Sequence, residues 1–104
     1  MHVQVEAHDL PALPAAVETA VFRIATEAAM NSARHSGTDQ AWVQIQHRDG
    51  CLEVSVRDNG STVDSWVPGV GLSSMRERAA EVGGKIQVTA SNEGSLIRAS
   101  LPLP

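Results

Sequence analysis

Three groups of residues in this sequence have types and spacings suited to chemistry. Glu27, Asn31 and His35 recur at i, i+4 and i+8, which aligns them along one side of a helix. An Asn inside a helix is a poor helix former and needs a reason to stand there. Its amide oxygen can ligate a hard cation such as Mg²⁺, and a carboxylate one turn earlier can hold a metal-bound water or a proton. Together with Arg23 and Arg34 these residues are expected on the side opposite the helix's apolar stripe, where the plain alternative is a solvated polar face. The second group is Asp58-Asn59-Gly60. Asn-Gly is a common tight turn, yet Ser61 to Trp66 makes a poor partner strand. A carboxylate at a strand end can instead accept a hydrogen bond from an exocyclic amine such as adenine N6. Guanine presents an oxygen there and is rejected. The third group, Gly69-Val70-Gly71-Leu72, opens a helix. Glycines there let the backbone approach a phosphate, and the free N–H groups with the helix dipole favour an anion. The alternative is a simple helix entry.

Other chemistries lack support. No Gly-Lys-Ser/Thr follows the glycines, and Ser74 stands where a dinucleotide fingerprint needs its third glycine. No Gly-x-Ser-x-Gly elbow is present. The four histidines lack metal-ligand spacing. Cys51 is the only cysteine, which excludes an internal disulfide framework and a Cys-rich zinc site and fits a reducing, cytoplasmic setting. A net charge of −4 argues against a nucleic-acid partner held by a basic face. No apolar run approaches the roughly 18 residues of a membrane helix, and the first residues show no signal-peptide core.

The elements that must position these groups follow from periodicity. The 104 residues suit one domain, 1–104, and 42% apolar residues suit a packed core. Aromatics are 3%, so that core must be aliphatic. Val3 and Val5 alternate with polar residues as a short strand. Pro14 suits the first turn of a helix reaching from Ala15 to about Ser36, whose apolar face is Val17, Val21, Ile24 and Ala28. Ala41–Gln46 and Leu52–Arg57 alternate around Asp49-Gly50, a hairpin signal. Ser61 to Pro68 reads as a loop. A second helix, from about Gly71 to Val82, has Leu72, Met75, Ala79 and Val82 on its apolar stripe and Arg76, Glu77, Arg78 and Glu81 on its wet face. Strands around Ile86–Ala90 and Leu96–Leu101 flank a turn at Asn92-Glu93-Gly94. The order β-α-β-β-α-β-β predicts an α/β (α+β) two-layer sandwich. Its mixed, mainly antiparallel sheet should be covered on one side by both helices.

The groups combine into a recognisable order. Glu27-x-x-x-Asn31 within Val17–His35 comes first, then Val56-Arg57-Asp58-Asn59-Gly60. Gly69-Val70-Gly71-Leu72-Ser73-Ser74-Met75-Arg76-Glu77-Arg78 up to Gly83-Gly84 follows, then Glu93-Gly94-Ser95 and a closing Leu101-Pro102. Nearly the whole chain thus resembles the GHKL ATPase superfamily. Within it the chain resembles the catalytic domain of two-component sensor histidine kinases, most nearly of the nitrate-sensor (NarX-like) class.

The resemblance implies a Bergerat-type ATP-binding fold that holds Mg-ATP between the helix layer and a lid. It implies that Asn31 ligates Mg²⁺ and that Glu27 orients the metal's water or the incoming acceptor. His35 would lie near the phosphates. Asp58 would bind adenine N6, Gly60 would give the base room, and Ser95 would support Asp58 through water. Gly69, Gly71 and Leu72 would wrap the phosphates. The implied reaction passes the γ-phosphoryl of ATP to a histidine on a separate dimerisation domain, with a response regulator further on. The domain would be cytoplasmic, in a parent that could be membrane-anchored, and the isolated domain a monomer. Thr62 departs from the pattern, standing where a second glycine is usual, and the lid is short. Two alternatives share the motifs: an anti-sigma-factor-type serine kinase, and a nucleotide-free interaction module of the same fold.

Overall fold

The computed structural model describes residues 2–7, 10–35, 40–59, 70–91 and 94–103. A first strand, β1 (His2–Ala7), precedes the helix α1 (Ala15–His35). Pro14 lies just before that helix, and its carbonyl accepts the first helical hydrogen bond, from Glu18 N–H at 3.0 Å. The missing proline N–H therefore costs nothing. The hairpin of β2 (Gln40–Arg48) and β3 (Cys51–Asp58) turns at Asp49-Gly50. Both turn residues have positive φ, 53° and 77°, which matches a two-residue turn to the twist of its strands. The second helix, α2 (Val70–Glu81), closes with Gly84 N–H on the Ala79 carbonyl at 2.7 Å and Gly83 N–H on that of Ala80 at 3.0 Å. This satisfies carbonyls that the helix end leaves free. Two strands, β4 (Lys85–Ser91) and β5 (Gly94–Pro102), complete the chain.

The element order is the expected one. The five strands form one sheet in the order β1-β2-β3-β5-β4. Only β1 and β2 run parallel; the other neighbours are antiparallel. A parallel pair needs a crossover, and α1 supplies it. Alternation sends Val43, Leu52, Val54, Val56, Ile97, Ala99 and Leu101 to one face, where all are buried. Val17, Ala20, Val21, Ile24 and Ala28 of α1 and Met75 and Ala79 of α2 meet them. No aromatic joins this buried set. Complete burial of a side chain such as Leu52 or Ile24 stabilises by about 1.5–3 kcal/mol. The opposite face carries Trp42, Gln44, Ser55, Arg57 and Arg98, and Arg57 lies over the Trp42 ring at 4.8 Å. The fold is thus the expected two-layer α/β sandwich. Among the described residues no helix is long and apolar enough to cross a membrane.

Candidate functional site

The informative residue is Asp58. Residues 52, 54 and 56 of β3 point into the core, and the same alternation sends Asp58 there too. It is 3% exposed, a carboxylate at the end of an apolar row. Burying a carboxylate is costly unless hydrogen bonds hold it. Ser95, 6% exposed and opposite Asp58 in the β3–β5 register, donates from its Oγ to Asp58 Oδ2 at 2.7 Å. The resemblance implied support through water; the contact is direct, because register pairing puts the two side chains side by side. No buried side-chain polar atom among the described residues lacks a partner.

Gly94 makes this pairing possible. Its φ is 137°, where side chains are strained, and a Cβ there would run into the backbone carbonyl of Asp58. The first residue of β5 therefore has to be glycine for the strand to close against the end of β3. Sequence reasoning read this position as part of a turn and of the Glu93-Gly94-Ser95 motif, without its close approach to β3. A glycine directly before a buried serine was the available signal.

Of the helix group, Glu27 is half-buried, which corrects its expected place opposite the apolar stripe. It follows buried Ala20 by seven residues, two turns, so it flanks the apolar stripe instead of opposing it. Asn31 and His35 lie within α1, one and two turns further on, but their side chains lie outside the described residues. Gly71 and Leu72 form part of the first turn of α2. Gly60 and Gly69, like Thr62 and the stretch 61–68, lie outside the described residues. The structure thus joins Asp58 to Ser95. It packs α1, which bears Glu27, against β3, which bears Asp58. Among the described residues no group of three His, Cys, Asp or Glu side chains can hold a metal.

Glu27 has a second environment. It lines an open groove of about 560 Å³ between α1 and α2, with Phe22, Arg23, Ser74, Met75 and Arg78. Arg78, expected on a wet face, is half-buried in this groove wall and pairs with Glu81 at 3.5 Å. Sequence reasoning missed Phe22, which is 71% exposed. Its apolar character carries no sign of which way it faces.

Residues 16–104 match the family described as histidine kinase-, DNA gyrase B-, and HSP90-like ATPase. The sensor histidine kinase MctS of Rhizobium johnstonii is 33% identical over 96 residues, 86% of this chain and 21% of that protein. The sensor protein VraS of Staphylococcus aureus is 34% identical over 95 residues, 88% of this chain and 27% of that protein. The chain therefore spans about a quarter of the length of these relatives. Among solved structures, the blue-light activated histidine kinase of Erythrobacter litoralis EL346 superposes with a TM-score of 0.83 at 23% identity, over 98% of this chain and 35% of that one. Full-length ShkA in complex with AMPPNP gives 0.80 at 20% identity, over 97% and 25%. These likenesses show a shared fold.

Proposed function

The chain belongs to the histidine kinase-, DNA gyrase B- and HSP90-like ATPase family, as the catalytic ATPase domain of the sensor histidine kinases, and from that premise we propose that residues 1–104 act as one unit that binds Mg-ATP and presents its γ-phosphoryl to a histidine on a separate dimerisation domain. A response regulator would take the phosphoryl group onward, and the domain would work in the cytoplasm of a parent free or membrane-anchored. The Gly71–Arg78 run supports the narrower kinship with the nitrate-sensor class. The relatives are sensor kinases, which does not favour the serine-kinase and nucleotide-free alternatives.

The observation that carries the reading is the buried Asp58 carboxylate, fixed by Ser95 at the end of an apolar row. Such a group is rigid, dry on one side and an acceptor. It suits an amine on a flat base and penalises a carbonyl in the same place. In this reading Gly60 would give the base room beside it, and Gly69, Gly71 and Leu72 would wrap the phosphates. His35 would lie near the phosphates.

The donor set fits Mg²⁺. This ion keeps several waters and binds through few protein oxygens plus phosphate oxygens, so the amide oxygen of Asn31 can serve as its one protein ligand. Bound there, it neutralises charge on the phosphates. Glu27 would orient the metal's water or the incoming acceptor, and the glycines would let the backbone wrap the phosphates. Phosphoryl transfer asks for such positioning and little covalent work by the protein.

The test is a titration of the chain with a fluorescent ATP analogue, chased by ATP and by GTP. Displacement by ATP in clear preference to GTP is expected. Equal displacement, or no binding, overturns the reading.

A further inference from the structure

We propose that the outer face of the sheet, the one turned away from both helices, binds an extended acidic polypeptide segment, with Arg57 and Arg98 as its charge partners. The site lies behind the sheet from the Asp58–Ser95 pair and does not depend on the nucleotide reading.

Two rows of side chains build it. Gln4, Trp42, Arg57, Leu96 and Thr89 face one another across the five strands, and Glu6, Gln44, Ser55, Arg98 and Gln87 form the next outward row. The residues between them, among them Val43, Val56 and Ile97, point the other way into the core. An open cleft of about 360 Å³ lies along the rows, from Gln4 and Glu6 on β1 to Leu96 and Arg98 on β5. Ser55, the smallest side chain of its row, gives the cleft its depth. Four strands at about 4.8 Å spacing make it about 14 Å long, the span of about four extended residues.

Charge chooses the occupant. The chain as a whole carries a net charge of −4, yet Arg57 has Trp42 and Leu96 across from it, and Arg98 has Ser55 and Gln87. All four are uncharged, and among the described residues neither guanidinium enters an ion pair. Both arginines are exposed. Arg57 lies over the Trp42 ring at 4.8 Å, which holds the guanidinium in place without neutralising it. Like charges on neighbouring strands repel, and incoming carboxylates remove that cost. Spacing narrows the choice further. Arg98 stands two residues beyond Leu96, the partner of Arg57, so the two arginines are diagonal neighbours about 7–8 Å apart at the backbone. Carboxylates at alternate positions of an extended chain stand about 7 Å apart on one side. An acid-x-acid segment therefore meets both guanidiniums at once, each with room for a two-pronged contact. A nucleic acid would instead bring its phosphates toward Glu6 and Glu53, which flank the arginines on the same face.

The test titrates the 104-residue chain into a short fluorescein-labelled peptide with glutamate at alternate positions, read by anisotropy. The same peptide with glutamine for glutamate, and a single-stranded oligonucleotide of equal length, are run beside it. The glutamate peptide should bind, lose affinity at high salt, and exceed both others by about 10-fold or more. Replacing both arginines, Arg57→Gln with Arg98→Gln, should weaken it by about 10-fold or more. Ser55→Glu, which puts a carboxylate directly across from Arg98, should block the peptide with both arginines still in place. Arg76→Gln, at an exposed arginine on α2, should match wild type. No binding by wild type overturns the proposal, as does unaltered binding in the glutamine pair. Equal affinity for the glutamine peptide, or an equal loss in Arg76→Gln, overturns it by showing a response that is not made at this face. Tighter binding of the oligonucleotide overturns it by assigning the face to nucleic acid. Should the glutamine pair fail to fold, Ser55→Glu decides, and unaltered binding there overturns the proposal.

Discussion

At the scale of single residues, the weight falls on Asp58. Asp58→Asn keeps the size and replaces one acceptor oxygen with a donor. Loss of a charge-assisted base contact should weaken ATP-analogue binding by roughly 10- to 100-fold, about 1.5–3 kcal/mol, read by the same fluorescence titration. Ser95→Ala leaves Asp58 one donor short in a buried place, and should lower stability by about 1–3 kcal/mol in urea unfolding. An unchanged urea midpoint would mean that water replaces the hydroxyl without loss. Asn31→Ala should abolish the Mg²⁺-dependent part of ATP binding with the fold intact; calorimetry showing the same Mg²⁺ enhancement would return Asn31 to an ordinary helix residue. Asp58 was legible in the sequence as a carboxylate at a strand end; its burial comes from the period of two set by Leu52, Val54 and Val56, which it completes. The direct Ser95 contact was not, since it depends on a register between strands 37 residues apart in the chain. Phe22 was not either, because α1 also has apolar residues that face inward, and one letter does not tell them apart.

Among elements, local signals were read well and long-range ones poorly. Pro14, Asp49-Gly50 and Gly83-Gly84 mark boundaries by their own backbone chemistry, so α1, the hairpin and the end of α2 fall where expected. That β5 inserts between β3 and β4 is not written in any of the three strands. It follows from which apolar rows bury one another. Gly94 and Gly50 test the difference. A Cβ at Gly50 meets nothing within 4 Å, whereas one at Gly94 meets the backbone of Asp58 and Asn59. Gly50→Ala should cost about 1 kcal/mol from its positive φ alone. Gly94→Ala should cost more, about 2–3 kcal/mol, because backbone cannot move aside as a side chain would. It should also reduce ATP affinity, by displacing the end of β3. Equal urea midpoints for the two variants would contradict the close approach.

For the whole molecule, the expectation is a catalytic half without its acceptor. His35 lies on the same helix as Asn31, so the proposed binding mode makes it a neighbour of the phosphates and not the in-line acceptor. The isolated chain incubated with γ-labelled ATP should therefore bind nucleotide and remain unlabelled. Adding the parent's dimerisation domain should produce slow, acid-labile label on that domain, reduced by Glu27→Ala. Stoichiometric acid-labile label on the chain alone would contradict this division of labour, and acid-stable label on an added protein would point to a serine kinase. The clamp between Asp58 and Ser95 has a further consequence. It pins the two ends of a 37-residue excursion that includes the stretch between β3 and α2. Closing a longer loop on fixed ends is cheap: each doubling of length costs only about 0.6 kcal/mol. Insertions between β3 and α2 can therefore accumulate without moving the Asp58–Ser95 pair. Length between β3 and α2 can thus vary from one descendant to the next, while the strand ends that carry Asp58 and Ser95 stay under strict geometric constraint.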